Sequence, residues 1–150
     1  MNIFNDIDTK ATAKNVDHFL RKQLPHIMLR CGRNITDLSS PKLSLTPVST
    51  SMRTDRQETM IINGIELEHV VQAVHNSILA CSAISKIILM DIYIHQYTID
   101  RTLMDTPYER TQFFHKFKPR SLVEFADCYD YWQNKCKVDK EDRIDLHIYK

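Results

Sequence analysis

The chain has 150 residues, 43% of them hydrophobic and 9% aromatic, which suits one compact domain, or a small domain with a helical arm, and suffices to bury a core. With 2 glycines and 5 prolines it lacks the turn residues of a many-stranded sandwich or barrel and the glycine-rich loop that cradles phosphates, so a mainly α-helical fold is expected. Its 20 Lys and Arg against 19 Asp and Glu leave a net charge of +1, which by itself points to no partner.

Residues 1–33 form the first unit. Val16, Phe19, Leu20, Leu24, Ile27, Met28 and Cys31 recur at helical spacing over 9–31, while Lys14, His18, Arg21 and Lys22 follow the same period on the opposite face. Pro25 lacks a backbone donor and clashes with the preceding turn, which predicts a kink near residues 21–25. Residues 10–56 hold nine basic and three acidic side chains, whereas 57–85 carry three glutamates and no Lys or Arg. An anionic partner would therefore meet the N-terminal third first. The basic face is either solvated surface or an arm on which Lys14, Arg21 and Lys22 reach DNA phosphates.

Residues 34–57 are crowded with Ser and Thr, contain two prolines and show no helical period. They read as a linker or extended strap, in which Lys42, Arg53 and Arg56 are candidates for phosphate contact.

A helical domain is expected over 58–137. The pattern resumes at Glu58, with Gly64 a candidate break, and Leu67, Val70, Val71, Val74 and Ile78 form an apolar stripe. Ile84, Ile87, Ile88 and Ile92 share a face that Leu89, Tyr93 and Ile94 broaden, so this helix should be buried on several sides. Thr98 offers an N-cap to a short helix running through Ile99, Arg101, Leu103 and Met104 to Asp105. Thr106-Pro107-Tyr108-Glu109 then spells a capping box with proline at the first helical position. Helical spacing places Phe114, Phe117, Ser121, Phe125, Cys128 and Trp132 on one side of the last helix, bent rather than ended by Pro119. The tail, 138–150, alternates Ile144, Leu146 and Ile148 with Asp145, His147 and Tyr149, a strand period. A lone strand frays unless another segment, or a second copy in a homodimer, supplies an edge.

No stretch approaches the roughly 18 apolar residues of a membrane span, and the N-terminus lacks a signal-peptide core, so a cytoplasmic protein without membrane contact is expected. Cys31, Cys81, Cys128 and Cys136 form no CxxC pair and read as packing residues, a zinc site with His75 or His115 being the alternative. There is no HExxH, GxSxG or GxxxxGK[ST] and no acidic pair of metal-binding type, and His69 and His75 lie beside Glu66 and Glu68 on what reads as a solvated face. Neither an enzyme nor a cofactor is expected.

The remaining reading is a helix-turn-helix between residues 84 and 132, its second helix starting between Thr106 and Arg110. Opposite the phenylalanine face stand Tyr108, Gln112, His115 and Lys116, flanked by Arg110, Thr111 and Lys118, with Arg101 on the preceding helix. In the major groove Gln and Lys can read bases, while Arg, Thr and Tyr take phosphates. Residues 106–120 set Arg110, Lys116, Lys118 and Arg120 against Glu109 alone.

The run Thr12-Ala-Lys-Asn-Val-Asp-His-Phe-Leu20, then Ser40-Pro41-Lys42 with Pro47, then Tyr108 followed by Leu122-Val-Glu-Phe-Ala126-Asp-Cys-Tyr129, resembles in that order the ArpU family of phage-encoded transcriptional regulators of Gram-positive bacteria. The likeness covers roughly residues 8–132. It implies a helix-turn-helix like the fourth region of bacterial sigma factors, falling on 85–97, 98–105 and 108–129. It further implies sequence-specific DNA binding that controls late genes for packaging, morphogenesis and lysis; the expected partners are then double-stranded promoter or operator DNA and host RNA polymerase. Asp105 stands where such hairpins often carry glycine, and Pro119 interrupts a helix the family runs unbroken. The rival is a helical protein-interaction module, such as an adaptor or a target of phage or mobile-element interference proteins.

Overall fold

Asp8 starts the first helix: its carboxylate accepts from the Ala11 amide (3.1 Å) and caps α1, Thr9–His18, by filling one of the donors a helix start leaves open. The computed structural model describes residues 6–43 and 55–150, with side chains from 67 onward in the second stretch. From α1 the chain runs through a wide π turn, Phe19–Gln23, into α2, Leu24–Arg30. There the Leu24 amide bonds to the Phe19 carbonyl, five residues back. A proline at 25 would press its ring on the Arg21 carbonyl in a regular helix. Opening the ladder by one inserted residue removes that conflict, so the irregularity expected near 21–25 is a wide turn centred slightly earlier.

Val16, Phe19, Leu20, Leu24 and Met28 are all at most 1% exposed. This helix packs along α7, Lys118–Lys135, with the Phe19 ring 5.5 Å from Tyr129 and 6.4 Å from Phe125. Its end is closed by Gly32 at φ 69° and by the Arg33 amide on the Met28 carbonyl (2.9 Å), a left-handed cap that favours a residue without Cβ. Part of the strap is ordered as a 3₁₀ turn, Ile35–Ser39, with a reciprocal Asn34 and Asp37 cap. Leu38 is wholly buried, and His75 Nε2 lies 2.6 Å from the Ser40 carbonyl. The expectation of phosphate contact at Arg53 and Arg56 concerns side chains outside the described residues.

Helix α3, Asp55–Ala80, passes through Gly64 without a break and begins three residues before Glu58. Val70, Val71, Val74 and Ile78 are buried and Leu67 half-buried, as their spacing predicts. Helix α4, Ala83–Leu89, is capped from another element: Glu124 on α7 accepts from the Ser82 amide and from the Ser85 hydroxyl (2.7 Å). It continues into a second wide turn, Met90–Ile94, where Ile92, Tyr93 and Ile94 are buried. Then come α5, Ile99–Met104, α6, Arg110–Gln112, a third wide turn, Phe113–Phe117, and α7.

The third wide turn precedes Pro119 as the first precedes Pro25, with the Lys118 amide on the Phe113 carbonyl. Its inserted residue shifts the register that helical spacing predicts. Phe113, Ser121, Leu122, Phe125, Ala126 and Tyr129 form the buried face. Phe114 is instead 39% exposed, and Phe117, Cys128 and Trp132 are only half-buried.

The tail finds its edge within the chain. Ile7 and Tyr149 form an isolated antiparallel bridge, the Asp8 amide donates to the Ile148 carbonyl (2.8 Å), and the Gln133 side chain exchanges two hydrogen bonds with the Ile144 backbone (2.8 Å each). Leu146 is 2% exposed. Core residues thus come from 1–33, 34–57, 58–137 and 138–150 alike, and the fold is mainly α-helical with no strand among the described residues. No described helix is long and apolar enough to cross a membrane. None of the four cysteines forms a disulfide, and burial pushes the thiols of Cys31, Cys81 and Cys128 upward, as packing residues would behave.

Candidate nucleic-acid interface

The hairpin is built from two threonines and a turn. Thr98 Oγ1 accepts from the Arg101 amide (3.2 Å) and caps α5, as its position predicts, and the buried Thr102 hydroxyl donates to the Thr98 carbonyl (3.1 Å). Asp105 sits at φ −86°, ψ −5°, a conformation any residue adopts, so this turn has no need of glycine there. The capping box expected at 106–109 does not form. The Thr106 hydroxyl turns back to the Leu103 carbonyl (3.4 Å), and the helix starts at Arg110, with Glu109 at the cap making no side-chain bond. Tyr108, expected on the exposed face of this helix, precedes it and stacks on Phe117 with ring centroids 3.4 Å apart.

From Arg110 the chain presents Arg110, Thr111, Gln112, His115 and Lys116 to solvent, with Phe113 fully buried between them. Arg110 reaches across the turn to Asp100, which ties α5 to the start of the second helix. His115 and Lys116 also edge a groove of about 480 Å³ with Thr9, Arg120, Glu124 and Asp127. Both acids of that groove are engaged, Glu124 at the start of α4 and Asp127 with His147 Nε2 (2.6 Å).

The other expected DNA contacts lie elsewhere. Lys14 and Lys22 are exposed on α1 and its wide turn. Arg21 Nη2 is 3.3 Å and Lys118 Nζ 4.0 Å from Asp17 Oδ1, and the Tyr93 hydroxyl donates to the same oxygen (2.5 Å). Burial alone would raise the Asp17 carboxyl; hydrogen bonds from Tyr93 and Arg21 outweigh it and hold the group below its ordinary value. Burial in turn pushes the Lys118 ammonium down, against the pull of Asp17. Arg101 lies over the Tyr97 ring, 4.5 Å from its centroid.

Arg21, Tyr93, Gln96, Tyr97, Phe114 and Lys118 line a second cleft, of about 500 Å³, to which all three wide turns contribute. Sequence reasoning misses Asp17, Tyr93, Gln96, Tyr97 and Phe114 as a group. The signal it could use is a repeated spacing, Phe-x-x-Lys-x-x-Pro, at 19–25 and again at 113–119. Gln96 adopts φ 56°, a left-handed conformation costing a side-chain-bearing residue about 1–2 kcal/mol. Asp91, whose backbone carbonyl accepts from the Tyr97 amide (2.8 Å), is buried, and burial, then the neighbouring Asp105, push its carboxyl up to about 7. Among the described residues the cysteines join no cluster of metal-ligand type; Asp130, Asp145 and His147 are the group with such spacing. Compared with known proteins, the chain matches no family model, no curated protein and no solved structure.

Proposed function

We propose that the chain is a sequence-specific DNA-binding transcriptional regulator, with α5 and the helix starting at Arg110 as a sigma-like helix-turn-helix. On this reading it binds a promoter beside host RNA polymerase and activates phage late genes, as its resemblance to ArpU regulators implies. The observation that carries the proposal is the exposed set Thr111, Gln112, His115 and Lys116, held outward by the buried Phe113 at the start of the second helix. Gln and Lys at such a position have base-reading geometry, and the flanking cations suit phosphates. Lys14 and Lys22 would add sequence-independent affinity. The tail is held within its own chain by the Ile7–Tyr149 bridge and the Gln133 and Asn15 bonds, so the reading requires no second copy.

Selection of bound fragments from random duplex DNA by the full chain tests this: enrichment of one discrete motif is expected, and none at any salt concentration overturns it. With that motif in hand, Gln112→Ala or Lys116→Ala should cost about 1–3 kcal/mol of specific binding. Deleting residues 1–33 would remove Val16, Phe19 and Leu24 from the core, so the basic helix is tested by Lys14→Ala and Lys22→Ala. Each should flatten the salt dependence by about one unit per lost phosphate contact.

A further inference from the structure

We propose that the cleft where the three wide turns meet is a binding site for a small aromatic carboxylate, a function independent of DNA recognition. The first turn supplies Arg21, the second Ile92 and Tyr93, and the third Phe114. Wide turns give up regular hydrogen-bond geometry and concentrate at functional sites, and three of them border this single opening. Its volume of about 500 Å³ lies within the range of small-molecule sites.

The lining selects the ligand. Phe114, 39% exposed, offers a ring face for a flat ligand to stack on, beside Tyr97, whose own ring is stacked on His95 (5.0 Å) with Arg101 4.5 Å from its centroid. Two cations, Arg21 and Lys118, stand against one carboxylate, Asp17, which leaves a surplus of one positive charge and matches a single negative charge on the ligand. A guanidinium carries five donors in a fork suited to a carboxylate, and Arg21 spends one bond on Asp17 while its side chain stays 49% exposed. Lys118, at 19%, is the more desolvated cation and gains most from a second anion. The rim residue Gln96 is held at φ 56°, and a backbone kept in so unfavourable a region is a recurring mark of ligand sites. A phosphomonoester carries close to two charges and exceeds the surplus, and a neutral phenol leaves the surplus unmet.

Isothermal titration of the full chain with 4-hydroxybenzoate and with indole-3-acetate tests the proposal, with acetate, phenol and adenosine monophosphate as comparisons. One saturable site is expected for at least one aromatic carboxylate, roughly tenfold or more tighter than for acetate or phenol. Phe114→Ala and Arg21→Gln should each weaken it by roughly tenfold, whereas Gln112→Ala, which lies outside the cleft, should leave it unchanged. Because Phe114 is exposed, its variant tests the cleft without emptying the core, and Tyr97→Ala serves as a second. Saturable binding of neither aromatic carboxylate, equal binding of acetate, tighter binding of adenosine monophosphate, or affinity indifferent to both ring substitutions overturns the proposal. None of these results bears on DNA binding, which Gln112→Ala reads separately.

Discussion

The wide turns before Pro25 and before Pro119 share a spacing and a backbone but face different surroundings. Each opens with a buried phenylalanine, Phe19 or Phe113, and each opens the hydrogen-bond ladder at that phenylalanine's carbonyl, two residues before the carbonyl the proline ring would strike. In the first turn the next residue, Leu20, is 1% exposed, and Arg21 is tied to Asp17 and lies 5.5 Å from the Tyr93 ring centroid. In the second, Phe114 is 39% exposed and His115 and Lys116 stand in solvent. The proline spacing sets the local backbone in both. What lies opposite decides whether the inserted residue serves the core or a surface. The first turn sits within a long helix laid against α7, whereas the second follows only three residues of α6 at the corner of the hairpin.

The strongest way to break this comparison is to remove the anchors. Phe19→Ala and Phe113→Ala should each destabilise the fold by about 3–5 kcal/mol, as truncation of a buried phenylalanine does. Phe117→Ala, at a half-buried position stacked on Tyr108, should cost less than either in urea denaturation. If it costs as much as Phe113→Ala, the helix keeps a regular register through 113–117 and the third wide turn is absent.

Next in size is the ionic contrast between the turns. Asp17→Ala leaves the buried Tyr93 hydroxyl without its acceptor and Lys118 without its nearest carboxylate, which should cost about 1–3 kcal/mol. His115→Ala, on the exposed turn, and Gln112→Ala, just before it, should stay within about 0.5 kcal/mol. Equal costs in thermal melts would mean that both turns are structural in the same sense.

This contrast also marks what the sequence makes legible. The stripe Val70, Val71, Val74 and Ile78, the face of Ile88, Leu89 and Ile92, and the Thr98 cap follow from regular periods and a single hydroxyl, and they stand where those rules put them. Phe114 does not, because a wheel of 3.6 residues per turn carries no allowance for an inserted one. Tyr108 does not, because the capping-box pattern ignores the competing bond from Thr106 to Leu103. The exposed Gln112, His115 and Lys116 were readable as a face. The cleft was not, since Asp17, Tyr93, Gln96 and Phe114 come together only when four elements pack. The alternation of the tail predicts a strand, but among the described residues its only strand pairing is the isolated Ile7–Tyr149 bridge, flanked by the bond from the Asp8 amide to Ile148, because the stretch around Ile7 and Asp8 is too short to extend the pairing.

A smaller effect should come from the second wide turn, Met90–Ile94, which lacks a proline and is followed by Gln96 in a left-handed conformation. Gln96→Gly relieves the left-handed strain and should raise stability by about 1 kcal/mol, at a helix C-terminus where glycine is favoured. If the variant is less stable, contacts of the Gln96 side chain outweigh its backbone cost.

The smallest effect concerns pH and the tail that holds α1, and with it the first turn, against α7. His147 places Nε2 2.6 Å from Asp127 and Nδ1 2.7 Å from Asp145, and a neutral ring can donate to one of the two alone. Burial by itself would lower the imidazolium; the two carboxylates outweigh it, and the folded value lies above the ordinary 6.5. The folded state then binds this proton more tightly than the unfolded chain, so the stabilisation is complete below pH 6.5 and is lost as pH rises through the folded value. Asp91 acts with the same sign in an earlier window: its carboxyl, ordinarily at 3.8, is pushed up to about 7, so its contribution falls between those values. Stability should therefore decline with pH in two adjoining stretches. Asp91→Asn should flatten the slope below about pH 7, and His147→Gln the slope above 6.5, in urea midpoints measured at half-unit steps of pH. An unchanged upper slope in His147→Gln would mean that the ring does not bridge Asp127 and Asp145 as a cation, leaving the tail held by the Gln133 and Asn15 bonds to its backbone.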